Sequence, residues 1–350
     1  MRISGRTLTA LFVVLAALAA VQTASAQAPA AKPTPTPAAQ TPAASAAAKA
    51  ASKAEPIVLD APGGKLHGTL EMPAAACAPC PVVLILSGSG PTDRDGNSAL
   101  IPGASNSLKY LAEGLAAEGI ASLRYDKRGI AASAAAGGDE SSATFDKYIE
   151  DAVLWGKLLR ADKRFSRLFV AGHSEGSLIG MVAAQRLGAD GYISIAGAGR
   201  RIDIVILEQL KPQLPPAMYE QTQAALKSLA EGKTVTDTPR ELAGLFRPSA
   251  QPYLISWIKY DPAAEVAKLK APVLIAQGTH DLQVKVEDAK ALAAAKPDAR
   301  LLLVEGMNHV LKMTPAEPQQ QAASYGDPSL PLAPKFLAEV VAFVKGTGKK

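Results

Sequence analysis

Arg167-Leu-Phe-Val-Ala-Gly172-His-Ser174-Glu-Gly176-Ser-Leu-Ile-Gly180 is the stretch that decides the fold of this chain. An apolar run of strand character meets Gly-x-Ser-x-Gly and passes directly into a helical pattern. This is the sequence form of a nucleophile elbow, a reversal so sharp that only small residues fit beside the Ser. Gly172 and Gly176 lack the Cβ atoms that would collide as strand folds back against helix. The turn holds Ser174 on a strained backbone with its hydroxyl above a sheet, placed to attack an acyl carbon. An ordinary strand-to-helix turn with a capping Ser is the competing reading, and the surrounding sequence has to decide between them.

Outward from the elbow, strands alternate with helices. Residues 56–60 and 65–71 read as two strands joined by Pro62-Gly63-Gly64, an antiparallel amino-terminal hairpin. Apolar strands are expected at 81–86, 121–125, 168–171, 191–196, 272–276 and 301–304. Helical periodicity falls at 107–118, 144–162, 177–187, 285–295 and 333–344. Short apolar strands between amphipathic helices predict a mostly parallel central sheet covered on both faces. The rhythm breaks at 200–271, where 202–210, 216–230 and 239–245 look helical, between prolines 212, 215, 216 and 248. Tyr253, Trp257 and Tyr260 cluster there in a chain with only 5% aromatics, which predicts a helical lid. Tyr253 and Trp257 are its candidate substrate-pocket residues, with the lid's own core as the other destination for such rings.

The ends of the chain read differently. Arg2 and Arg6 precede the apolar run 8–20 and then Ala24-Ser25-Ala26, which reads as a signal peptide over 1–26. The run is too short for the ~20 residues of a bilayer span. A periplasmic or secreted protein without stable membrane insertion is therefore expected. Residues 27–54 are rich in Ala, Pro and Thr and read as a disordered tether. The core is then 55–199 with 272–347. The formal net charge of +5 counts Arg2 and Arg6 and falls to +3 without them. No basic block interleaved with aromatics occurs, so nucleic-acid binding is not suggested.

Cys77 and Cys80 are the only cysteines. In an exported chain such a pair is expected to oxidise to a small structural disulfide. A redox dithiol normally opens a helix, and here a strand follows. A zinc site needs further ligands that the neighbourhood lacks.

A Ser nucleophile needs a His base oriented by a carboxylate. Four histidines are available. His67 lies in the hairpin, His173 should point away from its neighbour's hydroxyl, and His280 directly precedes Asp281. His309 follows the last strand in Gly306-Met-Asn308-His309, at the sheet's carboxyl edge, and is the candidate base. Asp281, in Gly278-Thr279-His280-Asp281, ends the preceding strand at the same edge and is the candidate acid. The order Ser174, Asp281, His309 is the one this architecture uses. For the oxyanion, one N–H should come from Glu175 and another from Ser89, in the Gly-rich loop Ser87-Gly88-Ser89-Gly90-Pro91-Thr92-Asp93-Arg94-Asp95-Gly96. Asp93, Arg94 and Asp95 are expected to fix that loop by ion pairing.

Gly-His-Ser-Glu-Gly, Gly-Thr-His-Asp and Gly-Met-Asn-His resemble the α/β-hydrolase superfamily. The loop from Ser87, Gln251-Pro-Tyr253 with Ser256-Trp257, and Ser324-Tyr325-Gly-Asp-Pro328 are similar to its bacterial serine-aminopeptidase-like branch, whose studied members are mainly carboxylesterases. Arg124-Tyr-Asp126-Lys-Arg128-Gly129 also matches, with Ala131 where a second Gly is common. The resemblance implies an α/β-hydrolase fold with a helical lid. It also implies the roles of nucleophile, orienting acid and base for Ser174, Asp281 and His309. The expected function is an exported serine hydrolase cleaving small-molecule carboxylic esters through an acyl-enzyme, without metal or organic cofactor. The alternatives are a peptidase or amidase for small peptides, and a noncatalytic envelope-binding domain.

Overall fold

Val82, Leu84 and Leu86 of one strand pack in one apolar cluster, while Val83 and Ile85 between them pack in another. The next parallel strand repeats this: Leu168 and Val170 face one way, Phe169 and Ala171 the other. Side chains alternate along a strand, so a strand apolar at every position must be covered on both faces. The computed structural model describes residues 52–347 apart from 76, 78 and 239. The expected signal segment and nearly all of the tether lie outside the described residues.

Eight strands form one sheet: β1 (Lys53–Ala61), β2 (Gly64–Met72), β3 (Cys80–Leu86), β4 (Ala121–Tyr125), β5 (Phe165–His173), β6 (Gly191–Ile195), β7 (Val273–Gly278) and β8 (Arg300–Val304), in the order β1-β2-β4-β3-β5-β6-β7-β8. β1 pairs antiparallel with β2, and β2 antiparallel with β4; every later pairing is parallel. The fold is the expected one, hairpin included. β1 starts at Lys53, paired with Met72, so two residues assigned to the tether belong to the sheet.

One face carries α1 (Ser107–Ala116), packed through Leu108, Leu111 and Leu115 against Val83 and Ile85. The opposite face carries α2 (Phe145–Ala161) and α3 (Glu175–Leu187), which bury Phe145, Trp155 and Met181. Thr144 caps α2 by accepting from the Lys147 N–H at 3.3 Å. Between β6 and β7 the described elements are helical: α4 (Ile202–Leu210), α5 (Pro216–Ala230), α6 (Ala243–Phe246), α7 (Gln251–Ile258) and α8 (Pro262–Ala267), with short 3-10 turns. Their apolar sides join the cluster of α2 and α3. After them come α9 (Val286–Ala295), α10 (Pro318–Ser324) and α11 (Pro334–Gly346). Phe336 and Val340 of α11 complete the α1 side.

Cys77 and Cys80 are free thiols in this structure, contrary to the expected disulfide. Cys80 begins β3 with its side chain in the apolar core. Burial first, and then its neighbour Cys77, push the Cys80 thiol up to about 12, so the thiolate needed for oxidation is disfavoured.

Candidate active site

Gly172 ends β5 and Gly176 opens α3, with no room for a side chain at either. A Cβ on Gly172 would lie 2.0 Å from the Gly176 carbonyl oxygen, and one on Gly176 would lie 2.5 Å from that of Ser87. Ser174 between them has φ +54° and ψ −121°. That conformation costs on the order of 1–3 kcal/mol and is held by its surroundings. Its N–H donates to the Ile195 carbonyl at 2.9 Å, and its carbonyl accepts from the Ser177 N–H at 2.9 Å. The capping alternative is not realised, since the Ser174 side chain makes no cap hydrogen bond. It opens instead into a cleft.

Asp281 and His309 meet on the loops after β7 and β8. His309 Nδ1 lies 2.8 Å from Asp281 Oδ2, and both side chains are buried. The other oxygen of Asp281 accepts from the Gln283 and Val284 N–H groups at 2.8 and 3.0 Å. Gln277 Nε2 donates to Oδ2 at 3.1 Å. Burial works to raise the Asp281 carboxyl. His309, followed by those two N–H donors, outweighs it and holds the group below the usual carboxylate range. An ionised Asp281 thus fixes the proton of His309 on Nδ1 and leaves Nε2 free to accept one.

His173 ties this pair to the elbow. Its Nε2 donates to the His309 carbonyl at 2.8 Å, and the two rings lie 4.7 Å apart. Burial, then the neighbouring His309, push the His173 pKa down to about 3, so its ring is neutral. The other histidines are elsewhere. His67 sits in β2, and His280 Nδ1 lies 2.7 Å from the Thr314 carbonyl.

The loop after β3 reaches Ser174. A Cβ on Gly88 would lie 3.2 Å from the Ser174 Cβ and from His173 Nδ1. Thr92 Oγ1 donates to the Ser89 carbonyl at 2.7 Å. Ion pairs fix the loop as expected: Arg94 bonds Asp126 at 2.6 Å, and Arg124 bonds Asp95 at 2.6 Å and Glu71 at 3.0 Å. Asp93 accepts from the Asp95 and Asn97 N–H groups. Glu175 is the first residue of α3, where an N–H has no intrahelical acceptor.

The cleft at Ser174 measures about 470 Å³, solvent space at its mouth included. Leu178, Ile202, Val205 and Trp257 give it apolar walls; Glu175, Arg200, Gln209 and Gln283 are polar. Arg200 is already committed to Asp288 at 2.8 Å and to Glu208. Of the two candidate pocket residues, Trp257 lines the cleft, stacked on Phe145 at 5.3 Å. Tyr253 does not line it. Its hydroxyl donates instead to the buried Glu175 carboxylate. Burial, then the charge of Glu175, push the Tyr253 phenol far up and keep it a donor. The Lys127–Gly88 and Tyr253–Glu175 bonds were not foreseen, because each joins segments remote in sequence; the Gln277 contacts are local but carry no motif.

A parallel sheet with helices on both faces, carrying an elbow serine and a buried Asp–His pair at its carboxyl edge, defines an α/β-hydrolase. The chain belongs to the serine aminopeptidase, S33, family, whose pattern matches residues 103–315. It is 30% identical over 261 residues to the esterase EstD of Thermotoga maritima, covering 72% of this chain and 60% of the relative. This chain thus spans about 60% of the length of that curated relative. Among solved structures, Est1E from Butyrivibrio proteoclasticus aligns with TM-score 0.53 and 17% identity, over 83% of this chain and 99% of that one. The alpha/beta hydrolase GrgF from Penicillium sp. sh18 aligns with TM-score 0.54 and 18% identity, over 84% and 99%.

Proposed function

We propose that this protein is an exported carboxylesterase in which Ser174 is the nucleophile, His309 the base and Asp281 the orienting acid. The observation that carries the reading is the buried 2.8 Å Asp281–His309 pair, tied through His173 to a positive-φ serine that opens into a cleft. His309 Nε2 takes the Ser174 proton as Oγ bonds the ester carbonyl carbon. The N–H groups of Ser89 and Glu175 receive the charge that develops on the carbonyl oxygen. His309 then protonates the departing alkoxide, leaving an acyl-enzyme. Water, deprotonated by His309, adds to the acyl carbon; Ser174 regains its proton and the acid leaves. The esterase name of the relative that is 30% identical over 261 residues supports the substrate class.

The walls of the cleft favour an uncharged, apolar acyl or alcohol group. A peptidase that grips a free amino terminus needs an unengaged carboxylate in its cleft. Glu175 lines the cleft but its carboxylate is engaged by the Tyr253 hydroxyl, and the other charged group in the walls is the cation Arg200. A noncatalytic binding domain gives no reason to bury a polar Asp–His pair, which costs desolvation. The segment 200–271 acts in this reading as the lid, with Trp257, Ile202 and Val205 over the nucleophile. Export rests on the signal-like residues 1–26; the periplasmic or secreted protein should begin at Gln27, which amino-terminal sequencing reads directly.

Labelling with a fluorophosphonate and turnover of a panel of acyl esters and aminoacyl amides test the assignment. The expected result is labelling that Ser174→Ala abolishes, with esters turned over faster than amides. An unlabelled wild type, or labelling unchanged by Ser174→Ala, overturns the serine-hydrolase reading.

A further inference from the structure

Lys127 is a buried lysine on the segment after β4, with 5% of its surface exposed. A lysine is rarely buried without a partner, because desolvating its charge is costly. Its Nζ donates to the carbonyl oxygen of Gly88, and it lies 5.9 Å over the Tyr148 ring. Gly88 is the residue packed against the Ser174 Cβ. The Gly88 carbonyl and the Ser89 N–H belong to one peptide unit. In a planar trans peptide those two groups point in opposite directions. Whatever fixes the carbonyl therefore fixes the N–H.

We propose that Lys127 is a positioning residue of the oxyanion hole, holding the Gly88–Ser89 peptide so that the Ser89 N–H faces the acyl oxygen on Ser174. The inference rests on the esterase reading above and adds to it the device that sets the donor. Gly88 and Ser89 stand in a loop with glycines at 88, 90 and 96, which by itself leaves the peptide free to rotate. A flipped peptide would present a carbonyl oxygen to a developing negative charge and repel it. Lys127 opposes that flip from the protein interior, where its bond to Gly88 does not compete with bulk water. Burial pulls the Lys127 pKa down, and the charge of Glu175, the residue that provides the second N–H, opposes that pull. Tyr253 of α7 in turn bonds that carboxylate. Both halves of the hole are thus anchored from behind by side chains that do not touch substrate.

Lys127→Met keeps the aliphatic stem and removes the donor. Single-turnover acylation by a 4-nitrophenyl ester should slow on the order of 10- to 100-fold, less than the ~10²–10³ that outright loss of an oxyanion donor brings. The inhibition constant of phenylboronic acid, whose tetrahedral adduct occupies the hole, should rise by a similar factor while the KM of the ester changes less than about threefold. Lys127→Gln, too short to reach Gly88, serves as the second variant if the Met variant does not fold. Acylation and boronate affinity both retained within about threefold in a folded variant overturn the role of Lys127 and leave the esterase reading intact. A wild type that turns over no ester overturns both.

Discussion

Ala131 adopts φ +44°, in the left-handed region, at an exposed position. There the family resemblance leads one to expect Gly, and the backbone has kept the glycine conformation under an alanine side chain. The left-handed region costs a non-glycine residue ~1–2 kcal/mol, and glycine gives back part of that as unfolded-state entropy. Ala131→Gly should therefore stabilise the protein by about 0.5–1 kcal/mol, read as a higher urea midpoint at unchanged slope. His173 supplies a second residue-scale test. Its folded pKa, about 3, lies below the unfolded value near 6.5. Between those two pH values the unfolded chain binds the extra proton, so stability is full above about 6.5 and falls as pH drops toward 3. Asp281, held low in the folded state, adds its own loss as the pH falls through its folded pKa. In His173→Gln the fall between about 6.5 and 3 should be shallower than in wild type; parallel Tm-versus-pH curves would count against the buried neutral imidazole. Asp281→Asn should cut kcat by about 10⁴, because the His309 proton is no longer fixed on Nδ1. A loss under tenfold would remove Asp281 from the triad.

At the level of elements, helix α7 matters more than its length suggests. Tyr253 donates to Glu175 of α3, while Ser256 Oγ accepts from the Phe145 N–H at the start of α2 at 2.8 Å. One short helix therefore clamps the starts of two others, one of them directly after Ser174. Tyr253→Phe leaves the Glu175 carboxylate without that donor and should cost ~1–3 kcal/mol. Esterase kcat should fall with it, since the Glu175 N–H begins α3; thermal melts and steady-state kinetics on the same preparation check both. Neither α7 nor α8 was legible in the sequence as a helix. Pro252 and Pro262 look like breakers, yet both sit in a first helical turn, where the missing N–H costs nothing. The Asp261 side chain caps α8 by accepting from the Ala263 N–H at 3.0 Å. The elbow, by contrast, was legible because part of its constraint is local: Gly172, Ser174 and Gly176 lie within five residues, and a Cβ on Gly172 would clash with Gly176 itself.

Across the whole molecule, Ser174, Asp281 and His309 come from the ends of β5, β7 and β8, and parallel pairing brings those ends to one edge. That much follows from strand–helix alternation, so the three residues could be chosen from sequence. The strand order β2-β4-β3-β5 could not, since it depends on which apolar strands find each other across long crossovers. The Tyr253–Glu175 and Lys127–Gly88 bonds were hidden for the same reason: they cross the sheet's own connectivity. The amino-terminal edge offers the last test. β1 contributes nine paired residues from Lys53 to Ala61, and Ser52 Oγ donates to Glu71 at 2.5 Å. Glu71 also pairs with Arg124, which holds Asp95 of the loop after β3. The sheet edge is therefore wired to the site from Ser52 onward. A chain begun at Lys49 keeps every one of those bonds and should retain wild-type ester kcat/KM within about twofold, whereas one begun at Gly64 loses the edge strand and should melt lower and turn over more slowly. Equal activity in the two truncations would show that the path from β1 through Glu71 and Arg124 to the loop has no bearing on catalysis.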